Sequence, residues 1–182
     1  MFGKTKYIFA GLKLFKVTPI LSMIISSGAY AVLFGPAFGV GMVGMIFVHE
    51  VGHLAAMRHY GMKFSPMVFI PFMGASIMMQ SSPRNAWEEA IIAFGGPVFG
   101  GAAAGVMSVY AMQYDSQFAY ALANWGYMIN LFNMLPVGQM DGGRIANSIS
   151  PYFGMTGLAG GWYLAYEGII GNPIFYLILM MG

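Results

Sequence analysis

Phe38-Gly39-Val40-Gly41-Met42-Val43-Gly44-Met45-Ile46-Phe47-Val48-His49-Glu50-Val51-Gly52-His53 is an apolar, glycine-punctuated run that ends in two histidines and a glutamate. It closes a longer stretch: from Val17 to Val48, 32 residues pass without Asp, Glu, Lys or Arg. A helix needs about 20 such residues to cross a bilayer. The stretch therefore holds one span and most of a second, broken at Gly35-Pro36. Ionisable groups at membrane depth are costly and read as functional. His49 and His53 stand four residues apart, share one helix face and can grip one zinc ion. Glu50 lies about 100° round the helix from His49, close to the water a metal would activate, where it can act as a general base.

Composition agrees with a lipid environment. The chain has 182 residues, 58% apolar and 8% charged, against about 25% charged in soluble domains. The reading is an integral, multi-pass membrane protein of a prokaryotic cell membrane, all-α, organised as one domain over 1–182. A net charge of +2 with no basic stripe predicts no nucleic-acid partner. There is no cysteine, so a metal would have to use His and carboxylate ligands. Lys4, Lys6, Lys13 and Lys16 precede the first apolar run, but no cleavage site follows, so the N-terminus reads as retained. Residues 5–16 suit an amphipathic surface helix with Ile8, Phe9 and Leu12 turned to lipid, or equally a frayed cytosolic tail.

Five to six transmembrane helices are expected, at roughly 18–34, 38–59, 90–114, 116–135 and 152–170, with a last segment after Asn172-Pro173. Thr18-Pro19 would open the first, Ser82-Pro83 and Glu88-Glu89 the third, and Pro136 would stop the fourth. From Pro173 only ten residues remain, so the sixth segment is expected to be short and partly inserted, or to lack residues of the natural form. This layout puts Lys4, Lys6, Lys13, Lys16, Arg58, Lys63, Arg84 and Arg144 on one side, which the positive-inside rule makes cytosolic, together with the N-terminus. The segment about 64–80 is apolar, but Pro66 and Pro71 would break a helix. Val68, Phe69 and Ile70 favour extended chain. One or two short membrane-associated strands dipping from the cytosolic face are predicted there. The pairs Gly96–Gly100, Gly101–Gly105 and Gly157–Gly161 predict helix-packing faces. The eighteen methionines read as adaptable filler, with a copper-binding use the weaker alternative.

A catalytic zinc needs a third protein ligand and leaves one position for water. Candidates are His59, Glu88, Glu89, Asp115, Asp141 and Glu167. Asp115 and Glu167 fall on or near the outer side, and Glu88 and Glu89 suit a helix start. His59 is six residues from His53, off the ligand face. Asp141 remains, at the depth of the histidines, though a helix-cap or turn aspartate explains it about as well.

Two further stretches carry a resemblance. Asn133-Met134-Leu135-Pro136-Val137-Gly138-Gln139-Met140-Asp141-Gly142, taken with His49-Glu50-Val51-Gly52-His53, resembles the site-2 protease family of intramembrane zinc metalloproteases. Gly95-Gly96-Pro97 is similar to a family element at the start of its third core helix. The likeness covers about 17–150, the expected core. It implies one Zn2+ held by His49, His53 and Asp141, with Glu50 as base and Asn133 contacting substrate or oxyanion. It also implies strands at 64–80 that bind the substrate as an added strand. The partners would be transmembrane protein substrates, cut near the cytosolic face in regulated intramembrane proteolysis. The chain departs from larger relatives in having no PDZ-like insertion and no nucleotide-binding domain. The alternatives are a non-catalytic membrane zinc-binding or metal-carrier protein and an inactive relative that binds without cutting. A carrier would need ligands along both halves of the membrane, and the intact Glu50 argues against the inactive form. Substrate identity and oligomeric state are not legible.

Overall fold

In the computed structural model, described for residues 3–171 and 173–181, seven helices and one two-stranded sheet follow in chain order. They are α1 (Gly3–Phe34), α2 (Pro36–His59), β1 (Val68–Ile70), β2 (Gly74–Ser76), α3 (Ala86–Tyr114), α4 (Gln117–Asn133), α5 (Asp141–Ile149), α6 (Pro151–Tyr166) and α7 (Pro173–Met181). α2 and α3 are long and apolar enough to cross a membrane, and Thr18–Phe34 is a shorter apolar stretch. α4 and α6, at 17 and 16 residues, are shorter than about 20. Five or six crossings were expected; two helices meet the test of length and composition among the described residues.

Local chemistry sets the boundaries. Gly35 takes φ 85, which a side chain disfavours, and Pro36 then opens α2. α3 starts at Ala86, not at Ser82-Pro83. The Asn85 side chain accepts the Glu88 N–H at 2.9 Å, and the Glu88 carboxylate accepts the Arg84 N–H at 2.9 Å. The helix so capped carries Glu88 and Glu89 in its first turn as expected. The start expected for the first span is also corrected. α1 runs unbroken from Gly3 with Pro19 inside it, so 5–16 continues the same helix. The sidedness of Ile8, Phe9 and Leu12 lies outside the described side chains.

α3 is the central helix, packed against α2, α4 and α5, while α1 lies on α2. The approach of α2 to α3 is set by two glycines. A Cβ on Gly52 would overlap the Gly95 carbonyl, and one on Gly95 would come 2.5 Å from the Gly52 carbonyl oxygen. Without side chains the two backbones touch, which is how small residues let membrane helices pack. Gly96 and Gly100 form the expected packing face of α3, and Gly157 and Gly161 that of α6. Gly101 does not: nothing lies within 4 Å of where its Cβ would be. One helix turn cannot present both Gly100 and Gly101 to the same neighbour.

The segment 64–80 is extended, as its prolines and β-branched residues predict. β1 and β2 pair antiparallel with Val68 opposite Ser76 and Ile70 opposite Gly74. Phe64 bridges Met79 further out. The hairpin docks on α1, where Ser22 Oγ accepts the Phe69 N–H at 3.1 Å and Tyr30 meets Phe72 edge-on at 5.1 Å. Ala75 and Ser76 of β2 line the cleft described next.

Candidate metal centre

Five elements converge on one cleft with a cavity volume of about 160 Å³, partly open to the surroundings. α2 brings His49, Glu50 and His53; α4 and the loop after it bring Asn133 and Gln139. α5 adds Asp141 and Arg144, α3 adds Ile92, and the segment after β1 adds Ala75, Ser76 and Ile77. His49, Glu50, His53 and Asp141 are all buried.

Asp141 reaches the histidines because the chain folds sharply after α4. Pro136 prevents α4 from continuing. α5 then packs its first turn directly on the preceding loop: a Cβ on Gly142 would overlap the Met134 carbonyl, and one on Gly143 would overlap the Gly138 carbonyl. The two glycines are what allow so tight a return. Asp141 becomes the first residue of α5, where the helix N-terminus favours a negative charge.

The two imidazoles are oriented from behind. His53 Nδ1 lies 2.7 Å from the Ile92 carbonyl oxygen, and His49 Nδ1 lies 2.9 Å from Asn130 Oδ1. A carbonyl only accepts, so His53 Nδ1 carries the hydrogen. Asn130 Nδ2 donates to the Gly126 carbonyl at 2.6 Å, which turns Oδ1 toward His49, so His49 Nδ1 carries one too. These hydrogens are assigned from the bonding geometry. In the neutral rings, both Nε2 atoms then present lone pairs.

Those lone pairs meet a third. His49 Nε2 and His53 Nε2 are 3.1 Å apart, and Asp141 Oδ2 lies 3.1 Å from the first and 3.3 Å from the second. Oδ2 is buried without a hydrogen-bond partner. Three acceptors this close repel one another unless a cation lies among them. A tetrahedral ion with bonds of about 2.0–2.1 Å separates its ligands by about 3.3–3.4 Å, close to the edges observed. Space is kept for it: a Cβ on Gly96 would overlap His53 Nε2 and come 2.6 Å from His49 Nε2. Two imidazole nitrogens and one carboxylate oxygen are a fitting donor set for zinc. Glu50 also offers an oxygen within 4.8 Å of ligand atoms of both histidines.

The remaining candidates from the sequence do not join. Asp115, Glu167 and His59 are exposed. Glu88 is occupied at the start of α3, and Glu89 accepts from Arg144 Nε at 2.7 Å. Asn133 lines the cleft, half-buried. Sequence reading missed Asn130 and Arg144. Asn130 carried a usable signal, as a polar side chain inside an apolar helix. Arg144 gave none beyond its nearness to Asp141.

A frame with two helices of membrane-crossing length thus carries buried histidine and carboxylate donors, a potential metal-binding group, around one cleft. Residues 37–123 match the profile of peptidase family M50. A zinc metalloprotease of Methanocaldococcus jannaschii is 30% identical over 134 residues, 71% of this chain and 37% of that protein. The chain thus spans little more than a third of that relative's length. In fold it matches the site-2 protease from Methanocaldococcus jannaschii with a TM-score of 0.61 and 21% identity, over 91% of this chain and 84% of that one. The family match thus covers just under half of the chain, and the likeness to the solved structure extends the same fold over most of it.

Proposed function

We propose that this chain is an intramembrane zinc endopeptidase that cuts membrane-spanning proteins near the cytosolic face. The observation that carries the reading is the convergence of His49 Nε2, His53 Nε2 and Asp141 Oδ2 within 3.1–3.3 Å of one another. These three residues would hold one Zn2+. When bound, the ion would supply Lewis acidity and make water acidic enough to react near neutral pH. Glu50 takes the proton of the attacking water and returns it to the leaving nitrogen. Asn133, lining the same cleft, donates a hydrogen bond to the oxygen that becomes negative in the transition state.

The substrate must arrive extended, because a helix hides its carbonyls in hydrogen bonds. β2 pairs only with β1 among the described residues, and Ala75, Ser76 and Ile77 line the cleft. Its free edge can hold an unwound substrate as a further strand, next to Glu50. The whole chain acts as one membrane domain with five to six inserted segments and a cytosolic N-terminus. The basic loops and the cleft then share one side of a prokaryotic cell membrane.

The test is cleavage of single-span proteins by the purified protein in vesicles. Cleavage should stop with a chelator, return with zinc and be absent in Glu50→Gln. Cleavage that persists in Glu50→Gln or without metal would overturn the reading. A finer check replaces helix-weakening residues of a cleaved substrate with leucine. Cleavage should slow, and an unchanged rate would remove the unwinding step.

A further inference from the structure

The two histidines are oriented by different means. His53 leans on a main-chain carbonyl that every residue type would provide at position 92. His49 leans on one side chain, Asn130, from a different helix. We propose that Asn130 is a positioning residue for the metal centre: its side-chain oxygen holds His49 in the Nδ1–H tautomer and aims Nε2 at Asp141 Oδ2.

Three contacts fix Asn130 for this task. Its Nδ2 is bonded to the Gly126 carbonyl one turn back at 2.6 Å, so the amide cannot flip without losing that bond. Its Oδ1 sits 2.9 Å from His49 Nδ1. Gly100 on α3 makes the room: a Cβ there would overlap Oδ1 and come 2.6 Å from Nδ2. The whole group is buried, where an unpaired amide would be costly. A free imidazole has no such constraint, and in the other tautomer His49 would present a hydrogen, not a lone pair, toward Asp141. Asn130 touches neither the cleft nor a substrate; it acts through His49. Residues that orient metal-binding histidines in this way are worth about 10- to 100-fold in metal affinity. Gly100 becomes part of the same device, since it defines where the amide can stand.

The metal half of this inference rests on the zinc reading above; the tautomer half does not. The experiment is therefore ¹⁵N NMR of histidine-labelled, metal-free protein at a pH where the rings are neutral, followed by zinc titration against a chromogenic chelator. The wild type should show both His49 and His53 as Nδ1–H. In Asn130→Leu, His49 should lose that tautomer while His53 keeps it, and zinc should bind about 10- to 100-fold more weakly. Gly100→Ala, which keeps the Asn130 side chain but displaces it, should move both readouts the same way. It serves as the second variant if Asn130→Leu does not fold. If His49 remains Nδ1–H and zinc affinity is unchanged in the folded variants, the inference is overturned. If the wild type shows the tautomers but takes up no zinc, the zinc reading fails and the assignment to Asn130 stands.

Discussion

The two ends of this molecule are built by different rules. Around the metal centre, α2, α3, α4 and α5 meet through glycines: Gly52 against Gly95, Gly96 against the histidines, Gly100 against Asn130, Gly142 against the Met134 carbonyl. At the C-terminal end, Gly157 of α6 comes against the Pro136 carbonyl, but α7 is held through side chains, in a cluster of Val137, Met140, Ala165, Phe175 and Leu179. The first kind of contact sets backbone against backbone or against a polar side chain and leaves little slack. The second is adaptable, since apolar side chains can repack. A centre whose acceptors must stay within a few tenths of an ångström needs the first kind. The lesson is that the glycines around the cleft hold polar atoms in place, whereas α7 is held mainly by aromatic and aliphatic bulk.

The sharpest way to break this contrast is Gly96→Ala. One methyl group would enter the space between the Nε2 atoms. Zinc content should fall to background and cleavage by at least about 100-fold, with helix content unchanged by circular dichroism. Normal zinc uptake in this variant would show that the cradle is not the ion's position.

Glu50→Gln comes next. Loss of a general base costs about 10²- to 10⁴-fold in rate. Zinc affinity should stay near that of the wild type, because Glu50 is proposed as the base and not as one of the three ligands. A parallel loss of zinc, measured by metal analysis, would move Glu50 into the ligand set.

How much of this was legible beforehand differs by level. The histidine pair and Glu50 could be read because helical period alone puts positions 49 and 53 on one face. Asp141 could only be shortlisted. Its approach depends on two glycines closing a turn against main-chain oxygens, a contact with no periodic signature. The hairpin at 68–76 was readable from prolines and β-branched residues. The short helix α5 was not, since Asp141, Gly142, Gly143, Asn147 and Ser148 among its nine residues are weak helix formers that suggest a loop. Asn130 was passed over in favour of Asn133, although both are polar and close to the end of the same helix. Their different roles depend on facing α3 or facing the cleft, which sequence does not show. The number of membrane crossings rests on charge sorting, which describes loops and not helix lengths.

At the other end of the molecule, Phe175→Ala should lower stability with little effect on chemistry. Phe175 of α7 is fully buried in the cluster with Val137, Met140 and Ala165, and removing such a ring costs about 3–5 kcal/mol in well-packed cores. The thermal midpoint should drop, while zinc affinity and the cleavage rate well below that midpoint stay within about threefold. A large loss of zinc affinity would mean that the two ends are coupled more tightly than their contacts suggest.

The smallest effect belongs to Gly101→Ala, one residue from a critical glycine. Nothing meets its added methyl, and alanine favours a helix over glycine by about 1 kcal/mol. Stability should hold or rise slightly and activity should not change. Damage comparable to that of Gly100→Ala would show that the face of α3 has been assigned to the wrong side.

The most direct measurement of the central claim is X-ray absorption at the zinc edge on the purified protein and on Asp141→Ala. The account predicts one zinc per chain, coordinated by two imidazoles and by oxygen, with occupancy collapsing in Asp141→Ala. A wild-type protein that binds no zinc, or zinc bound with other than two imidazoles and indifferent to Asp141, would contradict it.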